Sequence, residues 1–305
     1  MFWKMKHPFE RTRFVPTSRR TFLKYSLLAA GAAIAPRSLF TGDEWNDHRE
    51  VLKQKFNLAR AEGLSSKPIG DVVAAVGVSF LEAPYKAYTL EAPGPEHLIV
   101  NLKEFDCVTF VESTLAIARC ITLGRFTFDE FARQLRLIRY RAGVIDGYPS
   151  RLHYFSDWID DNEKKKIVKN MAPALEGVPL EKTINFMSTH RSAYRQLKSK
   201  AVFSAIRRTE EQLNQRKHFY LPKDRIQSLR EWIHDGDIVG ITTTIDGLDV
   251  SHTGFAYRFM GLLRFLHAPL SGGTIQISKR SLVDYLGQEE SRTGIMIARP
   301  LEPLS

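Results

Sequence analysis

Only 2 of the 305 residues are cysteine, which excludes a disulfide scaffold. No apolar run reaches the roughly 20 residues that a membrane-spanning helix needs. Glycine and proline are ordinary in number, at 19 and 14, and there is no fixed-period repeat or low-complexity tract. Collagen-like and wholly disordered classes are therefore excluded as well. The usual zinc spacings, C-x-x-C and H-E-x-x-H, do not occur. What is present is a chain 43% hydrophobic and 26% charged, with ample apolar content for a core.

The formal charge of +10 suggests nucleic acid until it is divided along the chain. Residues 1–36 hold seven Lys and Arg (Lys4, Lys6, Arg11, Arg13, Arg19, Arg20, Lys24) against one acid, Glu10. That segment carries +6 and the other 269 residues only +4, so no nucleic-acid partner is expected. Ser18-Arg19-Arg20-Thr21-Phe22-Leu23-Lys24 matches a twin-arginine pattern, and an apolar stretch from Tyr25 to Ala35 follows it. Too short to span a bilayer and lacking a polar face, it reads as the core of a signal peptide over 1–36. Ala33-Ile34-Ala35 forms an A-x-A cleavage box, while Pro36 disfavours cleavage and would leave the leader as an anchor. The expected partner is the twin-arginine export machinery, and the expected location is the periplasm, with no transmembrane helix in the mature chain.

Export makes the thiols informative, because paired cysteines outside the cytoplasm usually become disulfides. Cys107 and Cys120 lie in one run without Gly or Pro that Asp106 can cap. As a continuous helix, thirteen steps separate their Cα atoms by roughly 20 Å, far beyond the ~7 Å a disulfide allows. They cannot pair with each other, and Cys107 opens the helix.

Elsewhere the patterning predicts a linker and a first helix over 37–66, a helix from Asp71 to Leu81, and a helix from a capping box at Thr127 to Arg139 with Phe131, Leu135 and Ile138 inward. Gly143 to Trp158 is turn-rich and aromatic, which suits a binding wall. The Lys164-Lys165-Lys166 and Arg207-Arg208 clusters read as solvated helix faces. Strands follow at Ile238–Ile245, Asp249–Phe259, Leu262–His267 and Thr274–Ser278. Helices first and a strand meander after them define an α+β class with an antiparallel sheet.

Alternation puts His252 and Gly254 on one face of their strand. If Met260-Gly261 is a two-residue hairpin loop, His267 falls opposite Gly254 and diagonal to His252, within reach of it. A cysteine at a helix start with two histidines on one sheet face suits thiol catalysis. The helix N-terminus would favour the thiolate of Cys107, His252 would serve as base and acid, and His267 would orient His252. The same three residues could instead be core side chains or zinc ligands.

Phe105-Asp106-Cys107-Val108-Thr109-Phe110-Val111-Glu112, Ser150-Arg151-Leu152-His153-Tyr154-Phe155-Ser156-Asp157-Trp158-Ile159 and Asp249-Val250-Ser251-His252-Thr253-Gly254-Phe255 resemble one family. It is the N-acetylmuramoyl-L-alanine amidase-like group of the papain-like NlpC/p60 superfamily. Phe80-Leu81-Glu82-Ala83-Pro84-Tyr85, Arg139-Tyr140-Arg141 and Leu266-His267-Ala268 are similar to its motifs too, so the resemblance runs from about 48 to 299. Two departures concern loops: Glu82 stands where the family has Gly, and Pro269-Leu270 where it tends to small hydroxyl residues.

The resemblance implies a papain-like α+β fold, with a nucleophile helix packed on an antiparallel sheet and additional helices, forming a single domain over 37–305. It implies a catalytic set of Cys107, His252 and His267 without metal or cofactor. Tyr85 would help bind the oxyanion, and Asp106 and Ser251 would belong to the substrate pocket. Arg151 would clamp stem-peptide carboxylates, with a structural ion pair as the alternative, and His153 and Tyr154 would line the binding wall. The implied partners are peptidoglycan fragments, and the implied reaction is cleavage of the amide between N-acetylmuramic acid, in its 1,6-anhydro form, and L-alanine. Two alternatives stay open: an endopeptidase of the same superfamily cutting after D-glutamate, and an exported muropeptide-binding protein that is non-catalytic or binds zinc.

Overall fold

The computed structural model describes residues 42–269 and 273–304, and side chains from 46 onward. The twin-arginine leader and Leu270 lie outside the described residues. The first helix, α1 (Gly42–Ala61), buries Leu52, Phe56 and Ala59 along one stripe. Next come α2 (Ile69–Val78) and α3 (Cys107–Thr122). Helix α3 is buried around nearly its whole circumference, as its continuous apolar sequence demands. It packs between α2 and α4 (Phe128–Arg139). Phe131, Leu135 and Ile138 of α4 point inward. Thr127 caps α4 by accepting from the Glu130 amide, but the reciprocal half of the expected capping box is missing because the Glu130 carboxylate binds Arg133 and Gln134.

Helix α5 (Phe155–Lys164) begins inside the stretch expected to be loop. Only its preceding portion is irregular, carrying short 3-10 turns at Arg141–Gly143 and Tyr148–Ser150. Two further helices, α6 (Lys200–Asn214) and α7 (Leu282–Gly287), complete the longer ones.

The strands are β1 (Val168–Asn170), β2 (Val178–Pro179), β3 (Phe219–Pro222), β4 (Ile238–Thr243), β5 (Val250–Phe259), β6 (Leu262–His267), β7 (Gln276–Ile277) and β8 (Arg292–Pro300). They form one antiparallel sheet in the order β2-β3-β8-β4-β5-β6-β7, with β1 paired to β8. The meander read from the sequence covers only β4 to β7. The last strand returns to the middle, between β3 and β4, a non-local pairing that no turn signal announces. Both faces of the sheet are covered. Phe255 and Leu266 pack on the α1–α4 layer, while Ala256, Phe265, Ile295 and Ile297 pack on the layer that holds α7.

Candidate active site

Helix α3 starts where Asp106 caps it. The Asp106 carboxylate accepts from the Thr109 amide at 2.8 Å, and Thr109 Oγ1 accepts from the Asp106 amide at 3.0 Å. The Phe110 amide is taken by the Asp106 carbonyl. Of the first four amides of the helix, those of Cys107 and Val108 are left, and they lie close enough to the thiol to favour its charged form. The Thr253 amide on β5 acts on the thiol in the same direction.

These N–H groups favour the thiolate, and they are opposed. Burial, with the nearby Asp106 charge, pushes the Cys107 thiol up to about 12, outweighing the N–H groups. Desolvation and the Asp106 charge thus work against the thiolate that the helix N-terminus favours.

The β5–β6 hairpin has the expected two-residue turn, with Met260 and Gly261 both at positive φ, 51° and 75°. Phe259 pairs with Leu262 and Gly254 with His267, so the two histidines meet. Nε2 of His252 and Nδ1 of His267 are 2.8 Å apart. The outer nitrogens, His252 Nδ1 and His267 Nε2, are buried without a hydrogen-bond partner among the described residues. A Cβ on Gly254 would come within 2.5 Å of the Leu266 carbonyl and 2.9 Å of His267 Cβ, so a side chain there would push the strands apart. Where β5 pairs with β4, Ile241 faces His252 but Thr242 faces Val250, leaving Ser251 in a bulge.

Cys107 and His252 line a single cavity of about 110 Å³, together with Val108, Val111, Leu152, His153, Phe155 and Trp158 among others. Burial, followed by the charges of His267 and Arg292, holds His252 well below its ordinary value. Burial and Arg292 take His267 down to about 3. Both shifts favour a neutral thiol beside a neutral imidazole. If His252 Nε2–H donates to His267, Nδ1 of His252 is bare and can accept a proton. Among the described residues no group of three or more His, Cys, Asp or Glu side chains is arranged to hold a metal ion.

The remaining site residues inferred from the sequence divide. Tyr85 is held beside the nucleophile: its amide donates to Gly273, and the following amide, of Lys86, donates to Phe105. Its phenol is pushed up by burial and by the adjoining Cys107 and Asp106. Ser251 and His153 line the cavity. Tyr154 does so as well, with its hydroxyl spent on Glu210 (2.7 Å) and the Met187 amide (2.9 Å). Asp106 is committed to capping and to Thr89. Arg151 does not line the cavity. Its buried guanidinium binds Glu96 through two nitrogens at 2.9 and 2.8 Å, Glu91 at 2.9 Å and the Leu90 carbonyl at 3.0 Å. The carboxylate clamp is thus corrected to a structural ion-pair hub, because four of the five N–H donors are already bonded within the protein.

Trp158, the last residue of the stretch expected to form a binding wall, sits at i+3 from Phe155 and stacks on that ring at 5.6 Å in the cavity wall. The sequence alone assigns Asp249 no role. Its carboxylate accepts from the Ser156 amide and hydroxyl, both at 2.8 Å, which fixes the start of α5 against β5.

Fold and site together define an α+β protein of the amidase-like hydrolase class. The model of the N-acetylmuramoyl-L-alanine amidase-like (AmiA-like) family matches residues 75–295, and the chain belongs to that family. A crystal structure of an N-acetylmuramoyl-L-alanine amidase from Bacteroides uniformis is 36% identical, with a TM-score of 0.73 over 76% of this chain and 99% of the other. A Bacteroides fragilis protein that carries the provisional name of a xylanase is 40% identical, with a TM-score of 0.71 over 74% of this chain and 99% of its own. A Legionella pneumophila protein at 20% identity and TM-score 0.67, covering 86% of this chain and 97% of its own, shares the fold alone. No curated protein matches the sequence.

Proposed function

We propose that the chain is an exported cysteine amidase of the papain-like NlpC/p60 kind, cleaving the amide between N-acetylmuramic acid, in its 1,6-anhydro form, and L-alanine. The observation that carries this reading is that Cys107 and His252 line one cavity while His252 is hydrogen-bonded to His267 behind it. His252 Nδ1 takes the thiol proton as Cys107 Sγ attacks the lactyl carbonyl carbon. The Cys107 and Val108 amides, with the Tyr85 hydroxyl, stabilise the oxyanion of the tetrahedral intermediate. Collapse breaks the C–N bond, and His252 returns the proton to the departing L-alanine amine. Water, deprotonated by His252, then attacks the thioester and releases the muramic acid carboxylate and the free thiol. His267 positions His252 and stabilises its protonated form.

A glycosidase reading, which the Bacteroides fragilis name would suggest, needs two free carboxyl groups about 5–9.5 Å apart. The carboxylates in this cavity wall are engaged elsewhere, Glu112 with Arg139 at 2.6 Å and Asp249 with Ser156. The twin-arginine leader supports action in the periplasm.

The test is mass spectrometry of anhydro-muropeptides incubated with the protein, wild type beside Cys107→Ala. Release of an intact stem beginning with L-alanine, by wild type alone, is expected. Cleavage within the stem would move the assignment to an endopeptidase, and no cleavage with binding retained would leave a binding protein.

A further inference from the structure

The end of β5 remote from His252 carries an exposed apolar tip. At the β5–β6 turn, Met260 is 81% exposed, Phe259 41% and Leu262 46%. Phe259 and Leu262 are cross-strand partners, so their side chains lie side by side on one face, next to the turn that holds Met260. Turn chemistry does not ask for methionine there. Met260 sits at φ 51° ahead of Gly261, a position that Asn or Asp fills best in a two-residue turn. Its side chain is also the most exposed large apolar one among the described residues. Cations rim the tip. Arg264 lies over the Phe259 ring and donates to the Ser278 and Lys279 carbonyls, which brings the exposed Lys279 and Arg280 to the hairpin. Arg258 donates to the Arg230 and Ile233 carbonyls, and so holds the turn that carries Arg230 and the exposed Trp232. Against these five basic side chains stand two carboxylates, Glu231 and Asp235, so the rim keeps a positive excess.

An apolar tip inside a positive rim matches a surface that offers hydrocarbon beneath negative charge. We propose that the β5–β6 tip docks the protein on an anionic phospholipid bilayer: Phe259, Met260 and Leu262 enter the interfacial layer, while Arg258, Arg264 and Lys279 meet the phosphates. A second copy of this chain is the poorer match. It would set the same cations against each other, and three side chains fall well short of the ~800 Å² per partner that a stable dimer buries. The tip begins seven residues along β5 from His252, roughly 23 Å at 3.3 Å per residue. Interfacial side chains sink only about 5–10 Å, so lipid at the tip stays clear of His252. The inference is independent of the amidase reading and adds a partner to the fold.

The test places an environment-sensitive dye on Leu262→Cys in the full chain, leaving Phe259 and Met260 native. Cys107→Ala in the same chain makes position 262 the reactive thiol, because Cys120 is buried. Vesicles of roughly one-third phosphatidylglycerol are compared with pure phosphatidylcholine. With the anionic vesicles the dye should shift to the blue and brighten about twofold or more, and about 0.5 M salt should suppress the response. With neutral vesicles it should stay unchanged. The same dye on Lys53→Cys, at an exposed position of α1, should not respond. Adding Met260→Asn, which suits the turn, should weaken vesicle binding about tenfold without lowering Tm. A dye at position 262 that stays in water overturns the proposal, even where the chain sediments with vesicles through its leader. An equal response to neutral vesicles overturns it too, as does an unchanged affinity in Met260→Asn. Self-association that Met260→Asn abolishes, with no response to vesicles, would make the tip an interface between copies instead. None of these readouts involves turnover, so failure of the amidase reading leaves this one standing, and the reverse.

Discussion

His252 Nε2 and His267 Nδ1 meet at 2.8 Å across the β5–β6 hairpin, so the imidazole of His252 is held by one nitrogen and has the other to spend. If His267 acts by fixing that tautomer, its loss should lower kcat much more than it raises KM. His267→Ala is expected to cost on the order of 100-fold in kcat. His267→Asn can still accept from Nε2–H and should recover part of it. Steady-state kinetics on the muropeptide substrate checks both, and an effect confined to KM would remove the orienting role.

The resting ionisation gives a second expectation. With the Cys107 thiol up at about 12 and His252 well below its ordinary value, no thiolate–imidazolium pair forms near neutrality. Iodoacetamide should therefore alkylate Cys107 slowly at pH 7 and about tenfold faster per pH unit above it, following the thiolate fraction. kcat/KM should be flat from about pH 6.5 to 9, since the base is already neutral there. A rate of alkylation independent of pH in that window would show a preformed thiolate instead.

Arg151 discriminates a clamp from a scaffold. Its guanidinium joins Glu96 and Glu91, with both Arg151 and Glu96 buried. Arg151→Met leaves those carboxylates without their partner and should destabilise the fold by about 3–5 kcal/mol. Arg151→Met with Glu96→Gln should recover part of that loss. Urea unfolding measures the difference. A variant of unchanged stability with a raised KM would restore the clamp.

How much was legible in the sequence depended on how local the determinant was. The Cys107 helix start, the hairpin at Met260-Gly261 and hence the His252–His267 diagonal follow from caps and from strand parity, which act over a few residues. The central position of β8 depends on pairing with Leu221 and Ile241, far away in the chain, and local pattern cannot register it. The thiol's protonation and Arg151's commitment are of the same kind. Both depend on who surrounds the group, and Glu91 and Glu96 lie 60 and 55 residues from Arg151.

Three buried histidines give the stability a direction with pH. His153 and His267 are each held down to about 3, and His252 is well below its ordinary 6.5. Below about 6.5 the unfolded chain takes up protons that the folded chain refuses. Folding free energy therefore falls as the pH falls, by at most about 1.4 kcal/mol per unit for each histidine, until the folded values are reached. Urea midpoints measured from pH 7 to pH 5 should decline, and His153→Gln should make the decline shallower. A wild-type midpoint flat over that range would show that these rings titrate normally in the folded protein.

Glu82 adopts φ 68°, the left-handed region where a Cβ is disfavoured and glycine is favoured. Its loop is pinned by the Glu82 amide donating to the Ile275 carbonyl, and its carboxylate accepts from the Thr274 hydroxyl at 3.2 Å. That side-chain bond lies at the surface and contributes little, whereas the backbone strain costs about 1–2 kcal/mol. Glycine relieves the strain but adds freedom to the unfolded chain worth about 0.5–1 kcal/mol. Glu82→Gly should therefore stabilise the protein by about 0.5–1 kcal/mol, a rise in Tm of roughly 1–4 °C for a domain of this size. Glu82→Ala keeps the strain and loses the bond, so it should lower Tm slightly. Thermal unfolding of the two variants beside wild type separates the terms, because only relief of the left-handed strain moves them in opposite directions.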